Sequence, residues 1–304
     1  MNSPPLLISC LLSGIAGLTG HLGLFIKGDW DHHAITLINA FVFWPTLICI
    51  FLALFASRAT LSWTAAIFLS HHGAVCLSIV VYRYFFHALC QYNGPRMARI
   101  ASFWAFWTII FRRKWHLKVQ DLHRQYGDFV RIKPREISIN DPAAVKEIHG
   151  IGTKCVKGPF YDLNYPHQSL QFSRDRGYHS KRRRTWDRAF TSQALAGYEP
   201  YVLKHCRDLA SLISARTEEA LEATALIDAF CWDSMGILAF GKSFGMLQGS
   251  APERLRQVKE LGGLAVLVLC TSWVGFLFRN IWGLRRETDK WLGWCGEQVE
   301  ERRK

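Results

Sequence analysis

Charge is what the first third of this chain has least of. Residues 1–92 carry Lys27, Arg58 and Arg83 as their basic residues and Asp29 and Asp31 as their acidic ones. The other 212 residues hold 34 of the 37 basic and 22 of the 24 acidic residues. So long a stretch with so little charge is not the surface of an ordinary water-soluble domain. Paired cysteines are also missing. The nine cysteines (Cys10, Cys49, Cys76, Cys90, Cys155, Cys206, Cys231, Cys270 and Cys295) are odd in number and include no Cys-x-x-Cys. That argues against a structural zinc site and against a secreted disulfide scaffold, so the large domain is read as facing a reducing compartment. No internal repeat and no low-complexity tract is present. No basic segment precedes the first apolar run, which makes that run a poor cleavable signal peptide.

What is there begins with apolar runs. Leu6–Ile26 and Ile35–Ala56 are uncharged and long enough to span a bilayer, and the second contains Pro45, which lipid-embedded helices tolerate. Leu61–Val81 is a third run, weakened by His71 and His72 in its middle. Residues 1–92 are therefore expected to be a membrane anchor of two to three transmembrane helices. Leu261–Phe278 is a mediocre candidate for a fourth. Arg83, Arg96, Arg99, Arg112, Arg113 and Lys114 follow the third run, which places that side in the cytosol under the positive-inside rule. Asn93-Gly-Pro95 is a turn that ends the anchor. Phe103–Phe111 is an aromatic run beside three cations, suited equally to a headgroup layer or to core packing.

The remainder, 93–304, reads as mainly helical. Trp115–Tyr126 is expected as a helix stopped by Gly127, and Asp128–Lys133 and Glu136–Asn140 as two strands around Pro134. Asp141-Pro142 opens a short helix to His149, with Asp as its N-cap. Gly150–Gln171 reads as a long loop. Tyr198–Arg216, Leu226–Phe240 and Thr288–Lys304 are further helices.

The most basic segment is Arg176-Gly-Tyr-His-Ser-Lys-Arg-Arg-Arg-Thr-Trp-Asp-Arg-Ala-Phe-Thr191. Gly177 can open a helix, and no Gly or Pro interrupts Tyr178–Ala196, so one continuous helix is expected there. His179 and Arg183 then share a face. Trp186 and Phe190 form an apolar stripe that can pack inward. Such a run of cations is a solvated face, a nucleic-acid patch, or a clamp for an anionic cofactor edge. Two adjacent cationic donors suit a pair of carboxylates or phosphates.

Leu122-His-Arg-Gln-Tyr-Gly-Asp-Phe-Val-Arg-Ile132 resembles the first helix and strand of microsomal cytochromes P450, and Glu136–Ile148 resembles the next strand and helix. His179-Ser-Lys-Arg-Arg183 is similar to the His-x-x-x-Arg variant of the helix that contacts the haem propionates. Asp233–Leu247 is similar to a segment common in fungal members, and Trp291–Arg303 to the helix before the oxygen-activating helix. The resemblance runs in family order from Asn93 to Lys304. A multi-span N-terminus is also similar to fungal members that make secondary metabolites.

The fold class this implies is mainly α with a small β-sheet, a partial P450 fold behind a multi-span anchor. The resemblance further implies haem, with His179 and Arg183 on its propionates. It implies an apolar small-molecule substrate lined by Phe160, Tyr161, Leu170 and Phe172. Leu261–Phe278 would sit at the substrate mouth and dip into lipid. NADPH-cytochrome reductase would dock on the basic face, and the chain would lie in the endoplasmic reticulum membrane, in contact with lipid, with its large domain cytosolic. No nucleic acid is expected.

Such an enzyme needs a cysteine thiolate on iron. The family pattern is Phe-x-x-Gly-x-Arg-x-Cys-x-Gly, and none of the nine cysteines fits it. Cys155 has Ile148, Ile151 and Thr153 where Phe, Gly and Arg should stand. The acid-and-threonine motif is also absent, and Glu-x-x-Arg occurs only out of context, at Glu253–Arg256 and Glu300–Arg303. The expectation is thus the N-terminal half of a haem-thiolate monooxygenase, truncated before its thiolate loop and inactive alone, with no catalytic residue and no metal ligand of its own. Trp186, Phe190, Phe230, Trp232, Trp291 and Trp294 would lack packing partners. The alternative is a non-catalytic, membrane-anchored binding or interaction protein.

Overall fold

The computed structural model describes residues 4–112, 114–163, 165, 168–216, 220–250, 252, 253, 255, 257, 272–279 and 282–304. The chain divides into two compact units. One holds the residues up to Leu163 together with Ser272–Phe278; the other holds the residues after Leu163 together with Arg279 and the final helix.

The first unit begins with three helical runs, Pro5–Phe25, Trp30–Phe55 and Arg58–Phe86, each long and apolar enough to cross a membrane. Their outward side chains are bare hydrocarbon, from Leu7 and Leu11 to Leu54 and Leu69. Helix α1 (Pro4–Gly20) lies along α4 (Arg58–Val81), with α2 (Ala34–Ile38) and α3 (Trp44–Phe55) between them in sequence. Small residues permit the approach: a Cβ on Gly17 would stand 2.6 Å from the His71 carbonyl. Side-chain hydroxyls then bridge the helices, Ser70 Oγ donating to Cys10 O at 2.7 Å and Ser13 Oγ to Ile67 O at 3.2 Å. Close backbone contact and these hydrogen bonds hold the two helices together.

The two mid-run histidines that weaken the third run in the sequence have partners here. His71 Nδ1 lies 3.1 Å from Ser13 O. His72 Nε2 lies 2.9 Å from Phe41 O. Pro45 has no N–H to offer the carbonyl four residues back, which is that of Phe41. His72 Nδ1 lies 2.7 Å from Phe68 O on its own helix, so a neutral His72 donates to one of two carbonyls, of which Phe41 O is the one that Pro45 leaves open. The second run does not break at Pro45; it passes through a π-helical segment, Asn39–Phe43, and continues as α3.

Beyond the runs come α5 (Arg96–Ile100), α6 (Phe103–Arg112) and α7 (Trp115–Tyr126). Gly127, at φ 90°, stops α7 where expected. Strands β1 (Phe129–Lys133) and β2 (Glu136–Ile139) pair antiparallel, Val130 opposite Ser138 and Arg131 opposite Ile137, with a bulge before Lys133. His123 ties α7 to the sheet through Nε2 and Ser138 Oγ, 2.8 Å apart. Helix α8 (Pro142–His149) is capped by Asp141, whose Oδ1 accepts from Ala143 N at 2.9 Å. Helix α6 has one buried and one exposed face. Ala105 and Ile109 are buried, whereas Phe103, Trp107 and Phe111 are exposed one turn apart.

The second unit holds α9 (Arg176–Ala189), α10 (Ser192–Ser214), α11 (Ala223–Phe240) and the final helix Trp282–Arg303. The single helix expected over Tyr178–Ala196 is two helices. Phe190 leaves helical geometry and Thr191 caps α10, its Oγ1 accepting from Ala194 N at 3.3 Å. Helix α11 starts three residues before its expected start and ends at Gly241, φ 75°. It too is long and apolar enough to span. Its Asp233, fully buried, accepts from Ser243 Oγ, Met246 N and Leu247 N at 2.8, 3.0 and 2.9 Å. Those bonds fold the 243–247 turn back over Gly236, where a Cβ would meet the Phe244 ring at 2.9 Å. Phe240, Phe244, Trp291 and Trp294 form one aromatic cluster, joined by the Arg302 Nη1 bond to Leu238 O at 2.7 Å. Trp291 and Trp294 thus have partners within the chain, contrary to expectation.

The described residues are mainly helical with one two-stranded sheet. Of the expected Leu261–Phe278 stretch, 261–271 lie outside the described residues; its end begins the helix Ser272–Arg279.

Candidate functional site

Helix α9 owes its start to Asp175 rather than Gly177. The Asp175 carboxylate accepts from Tyr178 N and caps the first turn. That fixes His179 and Arg183 one turn apart, as the spacing requires. His179 is half-buried and its ring has no hydrogen-bond partner among the described residues. Arg183 is exposed and its Nε donates to Asp187 Oδ1 at 2.6 Å. Its Nη1 and Nη2 make no bond to any described residue, so the guanidinium fork keeps two free donors. Asp187, four residues on, is the counter-ion that sequence spacing shows but that the basic run obscures.

Arg182, on another face, is tied down: Nη1 donates to Gln168 O at 2.6 Å and to Tyr178 Oη at 2.9 Å. Lys181, Arg184 and Arg188 point to solvent. The Trp186–Phe190 stripe does not pack inward. The two rings stack 6.1 Å apart with Trp186 51% and Phe190 60% exposed. The break at Thr191 turns α10 away before its residues can cover them.

The four residues expected to line a pocket fall in both units. Phe160 and Tyr161 sit on the 3₁₀ turn Pro159–Asp162 of the first, ring centroids 5.4 Å apart. Lys157 Nζ stands 5.2 Å from the Tyr161 centroid, and burial lowers the pKa of that ammonium. Leu170 and Phe172 lie half-buried on the loop before α9 in the second unit.

The donor set on α9 fits the carboxylate edge of a porphyrin: two cationic-type donors, one turn apart, with unengaged hydrogen-bonding groups. Haem-thiolate iron takes one cysteine, and none of the nine stands in the Phe-x-x-Gly-x-Arg-x-Cys-x-Gly pattern. The eight described cysteines are unbridged. Glu300–Arg303, the out-of-context Glu-x-x-Arg, is an exposed local pair at 2.8 Å.

Comparison with known proteins agrees with the resemblance. The cytochrome P450 family profile matches residues 96–303. The chain is 41% identical over 301 residues to the cytochrome P450 monooxygenase nodW of Hypoxylon pulicicidum, covering 97% of this chain and 54% of that protein. It is 32% identical over 297 residues to the cytochrome P450 monooxygenase FCK2 of Fusarium pseudograminearum, covering 95% and 54%. It is 35% identical over 234 residues to the tryprostatin B 6-hydroxylase of Aspergillus fumigatus, covering 73% and 42%. The chain spans about half the length of the curated relatives it matches. No solved structure matches it. The chain belongs to the cytochrome P450 family.

Proposed function

We propose that these 304 residues are the membrane-anchored, propionate-binding half of a fungal-type haem-thiolate monooxygenase that oxidises an apolar small molecule of secondary metabolism. The observation that carries this is the family match over 96–303, within which α9 offers His179 and Arg183 as adjacent donors. When bound, haem supplies the iron centre at which the family activates O₂. This chain's part is to hold the haem's edge. The free Nη1 and Nη2 of Arg183 and the ring of His179 would hold the propionates. Asp187 keeps the guanidinium oriented by holding its Nε. The rings of Phe160, Tyr161 and Phe172, with Leu170, contribute apolar surface for the substrate.

No cysteine here carries the thiolate pattern, so the metal ligand must come from polypeptide outside these residues, and the chain alone is inactive. The three apolar runs anchor it in the endoplasmic reticulum membrane with the basic part cytosolic. Lys181, Arg184 and Arg188 present positive charge to an acidic reductase, where complementary charge speeds encounter. A relative named as a hydroxylase of tryprostatin B supports hydroxylation as the reaction type. The interaction-protein alternative rests only on the apolar runs and the basic face, which the monooxygenase reading already explains.

The test is a titration of the full chain, in phospholipid nanodiscs, with haemin and with its dimethyl ester. Haemin is expected to bind about tenfold more tightly than the ester, a preference that Arg183→Ala removes, as loss of a charge-assisted bond predicts. Equal affinity for acid and ester in the wild type would overturn the assignment.

A further inference from the structure

Where the third apolar run meets the sheet, arginines gather without counter-ions. Arg83 lies on the last turn of the run, Tyr82–Phe86; Arg99 is on α5; Arg131 is on β1. Helix α5 packs against both the run's last turn and β1. Arg131 is fully buried. Its Nη2 donates to Pro134 O at 2.6 Å, but its Nε and Nη1 are buried with no acceptor. Arg83 spends Nη1 on Ile100 O at 2.9 Å and Arg99 spends Nη2 on Tyr92 O at 3.2 Å; neither meets a carboxylate among the described residues.

Asp29, in the same unit, is held by Arg135 at 3.2 Å. His87 adds a ring whose Nδ1 accepts from Leu89 N at 3.1 Å. The cluster feels its own charge. Burial, then Arg99 and Arg83, press the Arg131 guanidinium below its usual value, with the Cys90 sulfur acting the other way. A guanidinium stays protonated even so. A buried, charged donor without an acceptor is costly enough that structures rarely leave one.

We infer that Arg83, Arg99 and Arg131 form an anion site that takes a phosphate group. Arg131 is its floor, and the half-buried Arg83, His87 and Arg99 leave its edge open to solvent. Guanidinium N–H groups suit phosphate oxygens; Nε and Nη1 of Arg131 point to different sides, so Arg131 gives the ion one donor and Arg83 and Arg99 give the others. The site stands at the end of a run of spanning length, where phospholipid headgroups lie. Phosphate chemistry can come from a lipid headgroup or from the free ion. The inference does not depend on the haem assignment, since no residue of α9 takes part.

The experiment places the full chain in phosphatidylcholine nanodiscs with and without phosphatidic acid, and counts retained lipid by native mass spectrometry. In parallel, inorganic phosphate is titrated at constant ionic strength into chain held in phosphatidylcholine alone, read by thermal unfolding. One tightly retained phosphatidic acid assigns the headgroup; a saturable rise in unfolding temperature with phosphate alone assigns the free ion. Arg83→Gln and Arg99→Gln are each expected to weaken whichever binding is seen by about tenfold or more. Arg124→Gln, which removes an exposed arginine paired with Asp121, binds as wild type. Failure of both probes to bind would overturn the site. So would binding that Arg83→Gln and Arg99→Gln leave intact, or that Arg124→Gln lowers equally.

Discussion

At the scale of single residues, the informative positions are polar groups whose partners lie far along the chain. Asp233 is legible in the sequence only as part of a family-like segment. Its partners stand ten to fourteen residues on, beyond the reach of helical spacing rules. Asp233→Ala strands one buried and one part-buried backbone N–H, those of Leu247 and Met246, and is expected to cost about 3 kcal/mol, with Asp233→Asn milder, measured by chemical denaturation. His87 gives a pH dependence. Burial first, then Arg131, Arg135 and Arg83, hold its pKa below the ordinary imidazole value of 6.5. The folded state therefore favours the neutral ring, so its contribution is whole above pH 6.5 and is lost as pH falls through the lowered value. In neutral lipid without phosphate, the unfolding temperature is expected to drop more steeply between neutral and mildly acid pH in wild type than in His87→Gln. Parallel curves would contradict this.

At the scale of elements, boundaries were legible where a backbone rule forces them. Gly127 at positive φ ends α7 at the expected residue, and Asp141-Pro142 opens α8 where expected. The break between α9 and α10 was hidden because no Gly or Pro marks it; a threonine cap does the work instead. The histidines of the third run looked like a flaw in a span, and each has a ring nitrogen within hydrogen-bond distance of a carbonyl on another run. In the tautomer whose Nε2 carries the proton, His72→Leu removes the donor to the Phe41 carbonyl and is expected to cost about 1–2 kcal/mol. In a Pro45→Ala background the backbone N–H of residue 45 can serve that carbonyl, so the same substitution is expected to cost clearly less. A double-mutant cycle read by steric trapping or denaturation in detergent measures the coupling. Additive costs would show that Pro45 and His72 act separately.

At the scale of the whole molecule, family membership was legible from an ordered set of weak motifs, while packing was not. The sequence suggests six aromatic side chains without partners. Trp291 and Trp294 find them in Phe240 and Phe244, whereas Trp186 and Phe190 stay exposed beside other bare apolar groups such as Leu195, Tyr201, Ile227 and Met235. Each large apolar side chain is worth roughly 1.5–3 kcal/mol when buried, so these exposed groups forgo stabilisation on that scale. The isolated chain is accordingly expected to bind a hydrophobic dye and to unfold gradually; a sharp cooperative transition with no dye binding would argue against it. The central claim is that these residues cradle the acidic edge of haem but bring no sulfur to its iron. The most direct test is the reduced carbon monoxide difference spectrum of the purified 304-residue chain loaded with haem. No thiolate-type band is expected, and the appearance of that band would contradict the claim.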